Sequence, residues 1–217
     1  MRITTDTNTN FTSRNITIRQ AEEIGRRVNN AFPMQSSSKF RAMRKESDDI
    51  FVHLAFRNLN KKIKLMRDYL IEKGEQTSDF VKKFQIYTSS IRKNKVGNCA
   101  ESATLTAVAA KTNGIKGAYV ATLASGNKHI DHDVVFINAE RPYIIDTWLG
   151  FADYEQNAIK RWQGEYKKFL NAEDSDLRNI RVVRHKDIGC PRSTDKELTP
   201  AEINKLKKLY PELVLKK

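Results

Sequence analysis

The fold is decided by the stretch GNCAESATLTAVAAKTNG, residues 97–114. Gly97 and Asn98 form a break signal, and the alanine-rich run after them predicts a mostly buried helix that begins at Cys99 and ends at Gly114. A cysteine in the first turn of a helix faces unpaired backbone N–H groups and the positive end of the helix dipole. Both features favour the thiolate over the thiol, and the same N–H groups can bind a developing oxyanion. Cys99 is therefore a candidate nucleophile.

A candidate partner for this thiolate lies on the strands that follow. Three runs rich in Val, Ile, Phe and Tyr predict strands at 117–123, 132–137 and 142–147. The short connection 138–141 predicts that the last two strands form a hairpin. If that hairpin is centred on residues 139–140, His132 and Asp146 lie nearly opposite each other, within reach of a hydrogen bond. An imidazole oriented by a carboxylate is what a thiolate nucleophile needs.

Taken together, the segments GNCAESATLTAVAAKTNGIKG, DHDVVFIN and YIIDTW resemble the transglutaminase-like branch of the papain-like superfamily of cysteine enzymes. The resemblance covers residues 95–150. It implies that Cys99 is the nucleophile, that His132 is the general base and acid, and that Asp146 orients the imidazole. It also implies an α+β fold, in which the cysteine-bearing helix packs on an antiparallel sheet, and chemistry without a cofactor. The superfamily includes peptidases, glutamine deamidases, transglutaminases and acyltransferases, and this pattern does not choose among them.

Three neighbours of the triad have a functional and a structural interpretation. Asn98 directly precedes the cysteine, so its amide is an oxyanion-hole candidate, although a turn residue at this position has the same sequence signature. Trp148 follows the aspartate and is a substrate-pocket candidate or a packing residue that shields the thiolate. Glu101 is interpreted as a capping or solvated carboxylate near the start of the helix.

Other assignments of the same side chains remain open. His129 could replace His132 as the base, although it lies in a polar loop. The pattern His129-x-x-His132, together with Asp131, Asp133 and Cys99, could instead bind zinc, but HxxH without a second ligand pair is a weak metal signature. We therefore predict that the protein has no metal site and that the two aspartates are solvated or capping. Cys99 could also be a small buried apolar residue.

The chain divides into three regions. Residues 1–15 are rich in Thr, Asn and Ser and are predicted to be disordered. Residues 16–95 form a predicted helical N-terminal region, whose long helix has apolar residues at Ile50, Leu54, Leu59, Ile63, Met66 and Leu70 and ends at Gly74. Residues 96–217 form the predicted catalytic core with C-terminal helices. Within the core we predict a helix with an apolar stripe at Tyr154, Ala158, Trp162, Tyr166 and Phe169, a strand at 179–184, and a last helix from Thr199 and Pro200.

Composition and charge restrict the function classes. The 217 residues carry a net charge of +13, distributed as +10 over residues 1–95, −2 over 96–160 and +5 over 161–217. No apolar run reaches the roughly 18 residues of a membrane span. Two cysteines, Cys99 and Cys190, cannot form a disulfide framework, which favours a reducing compartment, and Cys190 is interpreted as a loop thiol without a role. The basic flanks are interpreted as solvated helix faces because no nucleic-acid motif accompanies them.

These observations predict a cysteine-dependent acyl-transfer enzyme, either a thiol protease or a protein-glutamine deamidase or transglutaminase, that acts on a protein substrate. The Thr/Asn/Ser-rich start without a cleavable leader resembles that of bacterial effectors injected into host cells. We therefore expect signal-peptide-independent secretion into a host cytoplasm, with a host protein as substrate, or else a cytoplasmic location. The alternative is a non-enzymatic basic protein that contacts nucleic acid or an anionic membrane surface.

Overall fold

The computed structural model describes residues 16–45, 49–126, 128–170, 172–188 and 193–216. The helices are α1 (Ile18–Ala31), α2 (Ser37–Lys45), α3 (Ile50–Glu75), α4 (Phe80–Asn94), α5 (Cys99–Thr112), α6 (Glu155–Gln163), α7 (Asp174–Arg178) and α8 (Pro200–Leu209). The strands are β1 (Ala118–Ser125), β2 (Lys128–Ile137), β3 (Tyr143–Asp146), β4 (Phe151–Tyr154) and β5 (Ile180–Arg184). The predicted disorder of 1–15 and the predicted loop role of Cys190 concern positions outside the described residues.

The five strands form one antiparallel sheet in the order β4-β3-β2-β1-β5. Apolar side chains alternate between its two faces, because successive residues of a strand point to opposite sides. One face packs with α1 and α5 in a hydrophobic cluster that contains Val120, Val135 and Ile145. The other face packs with α6 in a second cluster that contains Leu123, Ile144 and Trp162. The protein is therefore a mixed α+β fold with helices on both faces of the sheet.

Helix α5 lies deep in this arrangement, as the alanine-rich sequence predicts. Twelve of its fourteen residues are buried, among them Cys99 and Leu105. Small alanine side chains allow a helix to be enclosed on several sides without leaving room for water. The chain leaves the helix through Gly114, whose φ of 83° lies in the left-handed region that favours glycine. The helix predicted from Cys99 to Gly114 is thus confirmed to within two residues.

The helical N-terminal region packs on the core. Ile24 and Val28 of α1 belong to the same hydrophobic cluster as Leu105 and Val108 of α5. Gly25 of α1 lies against the end of β3, where a methyl group on its Cα would come within 3.2 Å of a neighbouring side-chain oxygen. Residues 16–95 and 96–217 therefore share one hydrophobic core.

Several predicted elements differ from those observed. Strand β2 begins at Lys128 rather than at 132, because its polar first half still pairs with the end of β1. Strand β4 follows β3 and was not predicted, because its last residue, Tyr154, also fits the apolar stripe of the next helix. The helix predicted across 154–169 is limited to α6, which ends at Gln163 and is followed by Gly164. Two members of the predicted apolar stripe of α3, Ile50 and Leu54, are 66% and 45% exposed rather than buried.

None of the described helices combines the length and the apolar character that a membrane span requires. The longest, α3, has 26 residues but carries charged side chains along most of its length.

Candidate active site

Cys99 occupies the first position of α5, and its side chain is 5% exposed. Asn98 precedes it with extended backbone angles, so the helix begins abruptly at the cysteine. The first backbone N–H groups of a helix have no partner within the helix, and they carry the positive end of its dipole. The sulfur therefore lies where a negative charge is stabilised.

His132 lies in a bulge of β2. Thr122 of β1 pairs with Asp133, whereas the next residue, Leu123, pairs with Ile130. Residues 131 and 132 of β2 therefore have no paired residue on β1. The Thr122 hydroxyl donates to the carbonyl oxygens of Ile130 and His132 at 3.2 and 3.3 Å, which holds the bulge in place. Bulges change the direction of a side chain locally and are frequent next to active sites. Sequence reasoning placed His132 at the start of a regular strand and missed this feature.

His132 and Asp146 form a buried hydrogen-bonded pair. His132 Nε2 donates to Asp146 Oδ2 at 2.6 Å, since a carboxylate can only accept, and the two side chains are 1% and 0% exposed. Val135 pairs with Ile145, which puts Asp146 diagonal to His132 rather than directly opposite it. A diagonal neighbour across two strands is still within reach of a long side chain, so the pair closes along this diagonal. With Nε2 bound to Asp146, Nδ1 is the nitrogen that can serve the thiol.

Asp146 accepts hydrogen bonds at both of its oxygens. Trp162 Nε1 also donates to Oδ2 at 2.9 Å, and the backbone N–H of Leu149 donates to Oδ1 at 3.0 Å. Three donors around one fully buried carboxylate fix its orientation and satisfy its charge. Trp162 was predicted only as a packing residue. Its role as a donor to Asp146 depends on the docking of α6 against the sheet, which local sequence does not specify.

The charges around His132 favour its protonated form. Burial by itself lowers the pKa of His132, but the carboxylate of Asp146 and the side chain of Cys99 outweigh it and hold that pKa well above the ordinary value of 6.5. Cys99 acts here through both hydrogen bonding and charge, which requires the sulfur and the imidazole to be close neighbours. The arrangement therefore favours an imidazolium beside the Cys99 sulfur.

Trp148 covers the imidazole. Its ring lies 5.4 Å from that of His132, and its Nε1 donates to Ser36 Oγ at 2.9 Å. The side chain is only 6% exposed. Of the two interpretations of Trp148 considered above, shielding of the site from water matches this burial, and a role in contacting substrate stays a prediction.

The amide of Asn98 is tied to the start of α2. Its Oδ1 accepts from Ser36 Oγ at 2.9 Å and from Ser37 Oγ and Ser38 N at 3.3 Å, and its Nδ2 donates to Ser37 Oγ at 3.1 Å. These bonds join the residue before the nucleophile to the helical region. A contribution of Asn98 to an oxyanion hole stays a prediction.

Glu101 connects the start of α5 to α3. Its carboxylate accepts the backbone N–H of Asn98 at 2.8 Å, which is the capping role predicted for it. It also forms a bidentate pair with Arg67 of α3, with N–O distances of 2.8 and 2.9 Å. Glu101 is buried, while the side chain of Arg67 is 45% exposed. Sequence analysis did not single out Arg67, because nothing local links it to a residue 34 positions away.

A groove of about 1320 Å³ runs past Cys99. Helices α2, α3 and α4 line one side, and β1 and β2 line the other. Its charged and polar side chains include Arg41, Arg67, Lys83, His129, Asp131, Asp133 and His185. Asp133, predicted to be solvated or capping, is instead 11% exposed at its side chain and lies beside His185, with 3.0 Å between Asp133 Oδ1 and His185 Nε2. The sequence gives no signal for this second His–Asp pair because its members are 52 residues apart. Asp131 is solvated and pairs with Arg41 at 3.3 Å.

The alternative assignments of the histidines can be compared with this geometry. His129 is exposed on β2, and His132 is the histidine that contacts Asp146. Among the described residues, no three His, Cys, Asp or Glu side chains are grouped so as to hold a metal ion.

No model of a known protein family matches this chain, and no curated protein sequence is similar to it.

Proposed function

We propose that this protein is a cysteine-dependent acyl-transfer enzyme that acts on a protein substrate. The observation that carries the proposal is the grouping of Cys99, at the start of a buried helix, with the buried pair of His132 and Asp146. Perturbed titratable groups beside a large groove are typical of active sites, because burial and paired charges prepare nucleophiles and acids for reaction.

The first chemical step is attack of the Cys99 sulfur on a carboxamide or peptide carbonyl carbon. The new C–S bond places a negative charge on the carbonyl oxygen, and the backbone N–H groups of the first turn of α5 are available to bind it. Collapse of this intermediate breaks the C–N bond. His132 gives its proton to the leaving nitrogen, so that ammonia or an amine departs and a thioester remains on Cys99.

The second step returns the enzyme to its starting state. Water or an amine attacks the thioester carbon, and the now neutral His132 accepts a proton from it. The C–S bond breaks, the acid or amide product leaves, and Cys99 is again a thiolate next to an imidazolium. Asp146 keeps Nε2 protonated throughout, so that Nδ1 faces the reacting atoms.

Two features favour a protein as substrate. The groove is larger than the 300–1,000 Å³ usual for small-molecule sites, and it passes the sulfur rather than enclosing it. The resemblance to transglutaminase-like and papain-like enzymes points the same way, and the reactions we propose are proteolysis, glutamine deamidation or transglutamination. Secretion as an effector, with a host protein as target, belongs to the same proposal. The proposed chemistry requires no cofactor.

The proposal is tested with p-nitrophenyl acetate, whose acetyl group can be transferred to a reactive thiol with release of p-nitrophenolate. We expect a burst of p-nitrophenolate and an acetyl adduct that peptide mass spectrometry assigns to Cys99. Cys99→Ala should show neither, and His132→Ala should lose the burst although the thiol is still present. Circular dichroism of all three proteins shows whether each variant is folded.

The rival function, a non-enzymatic basic binding protein, predicts that Cys99 has no special reactivity. In that case Cys99 reacts slowly with iodoacetamide, at the same rate as Cys190, and His132→Ala changes neither rate. This result for the wild-type protein would contradict the enzyme proposal.

A further inference from the structure

Helix α3 exposes an unusual number of large apolar side chains. Of the seven large hydrophobic residues exposed in the described part of the chain, six lie on this one helix: Ile50, Phe51, Leu54, Leu65, Tyr69 and Ile71. Phe51 and Ile50, at 75% and 66% exposure, protrude from the surface. Scattered single apolar residues need no explanation, but a group on one element marks an interaction surface.

Four of the six share one face of α3. At about 100° per residue, Phe51, Leu54, Leu65 and Tyr69 fall within about 60° of one another around the helix axis. This stripe is about 27 Å long at 1.5 Å per residue. It is turned by about 120° from the face that carries Leu59, Ile63 and Met66, which α3 buries against the rest of the protein. The helix thus has a second apolar face, whose four residues remain 45–75% exposed.

Beyond Asp49, which caps the start of the helix, the surroundings of this stripe are basic as far as Arg67. Between Ile50 and Arg67 the helix contains no Asp or Glu, while four exposed basic residues accompany the apolar ones: Arg57, Lys61, Lys62 and Lys64. Lys61 and Lys62 fall on either side of the stripe around the helix axis. The acidic residues of α3 begin only at Asp68. Apolar side chains flanked by lysines are typical of helices that lie in the interface of an anionic membrane.

We propose that the N-terminal two thirds of α3, residues 50–67, dock this protein on an anionic membrane surface. Phe51, Leu54 and Leu65 enter the boundary between head groups and acyl chains, and the flanking basic residues contact the anionic lipids. Residues of α3 that line the groove, such as Asn60 and Arg67, fall on the opposite side of the helix axis from the stripe, so docking leaves the groove open. Docking does not depend on catalysis.

Co-sedimentation with vesicles tests the proposal. One set of vesicles contains phosphatidylcholine alone, and the other contains phosphatidylcholine with phosphatidylserine. We expect binding to the phosphatidylserine vesicles that falls as salt is added, because the head-group attraction is screened. Lys61→Gln and Lys62→Gln should each reduce that binding by about fivefold. The double variant Phe51→Ser/Leu54→Ser should reduce it by about tenfold or more.

Leu209→Ser is the matched control, since Leu209 is 43% exposed but lies on α8, outside the stripe. It should bind like the wild type. The same measurement with Cys99→Ala should give unchanged binding, which separates this proposal from the enzymatic one. Equal binding of the wild type and the Phe51→Ser/Leu54→Ser variant would overturn the proposal. So would a dimer in light scattering that this double variant dissociates, with no vesicle binding, because the stripe would then be a protein interface.

Discussion

Replacement of Asp146 by asparagine is the most informative perturbation of the candidate site. The carboxylate is fully buried and accepts three N–H donors, from His132 and Trp162 at Oδ2 and from Leu149 at Oδ1. An asparagine has one acceptor oxygen and one NH₂ group. Its oxygen can keep the two donors at the Oδ2 position only if its NH₂ faces the backbone N–H of Leu149.

The size of the effect follows from these contacts. One buried N–H loses its acceptor, which costs about 1–3 kcal/mol of stability. Removal of the negative charge beside the imidazole also lowers the pKa of His132, because Asp146 is the main cause of its rise. We expect acylation by p-nitrophenyl acetate to fall by up to about 10⁴, the loss known for this role in serine triads, but to remain measurable because the amide oxygen still orients Nε2.

The pH dependence gives a second readout. The imidazolium is lost only as the pH rises through the raised pKa of His132, so the alkaline limb of the wild-type acylation profile should lie well above pH 6.5. In Asp146→Asn that limb should move down towards 6.5. The same linkage applies to stability: the pair stabilises the wild-type protein fully below pH 6.5, and this contribution disappears as the pH rises through the folded-state pKa. Asp146→Asn should lack this alkaline decrease.

Acylation rate and melting temperature are measured on the same purified samples, with Asp146→Ala included. A folded Asp146→Ala protein with full activity per folded molecule would remove Asp146 from the site. A fall in melting temperature without a fall in that activity would assign it a purely structural role.

Three further predictions concern neighbouring contacts. Arg67→Met leaves the buried Glu101 carboxylate without its bidentate partner, and urea unfolding should show a loss of about 1–3 kcal/mol, with rescue in the double variant that adds Glu101→Gln. Trp162→Phe keeps most of the ring packing but removes one donor to Asp146; the alkaline limb of the acylation profile should move while KM for the ester stays constant. Gly25→Ala puts a methyl group 3.2 Å from Thr147 Oγ1, which is held by its 2.6 Å hydrogen bond to Thr106 Oγ1. The cost of this contact, about 1–3 kcal/mol, exceeds the gain of about 1 kcal/mol in helix propensity, so calorimetry should show a lower melting temperature that corresponds to at most about 2 kcal/mol.

Local sequence patterns were sufficient for the elements that carry the site. The alanine-rich run after Gly97 and Asn98 predicted α5 and the place of Cys99, because the start of a helix and its helix-forming residues are both set by neighbours along the chain. The apolar strands on either side of 138–141 predicted the hairpin of β2 and β3. The same patterns failed at β4, whose last residue also fits the apolar stripe of the next helix, and at Ile50, where an apolar residue in a helical repeat lies on the surface.

The sequence by itself determined the type of each main element and the pairing of His132 with Asp146 to within one register step, because these depend on residues close along the chain. Only the tertiary structure decided how that pair is closed and what surrounds it. The bulge held by Thr122, the indole of Trp162 on Asp146, and the reach of Arg67 to Glu101 all join residues 10 to 34 positions apart. Such contacts depend on how helices dock against the sheet, and docking is governed by the packing of whole surfaces rather than by the preferences of neighbouring residues.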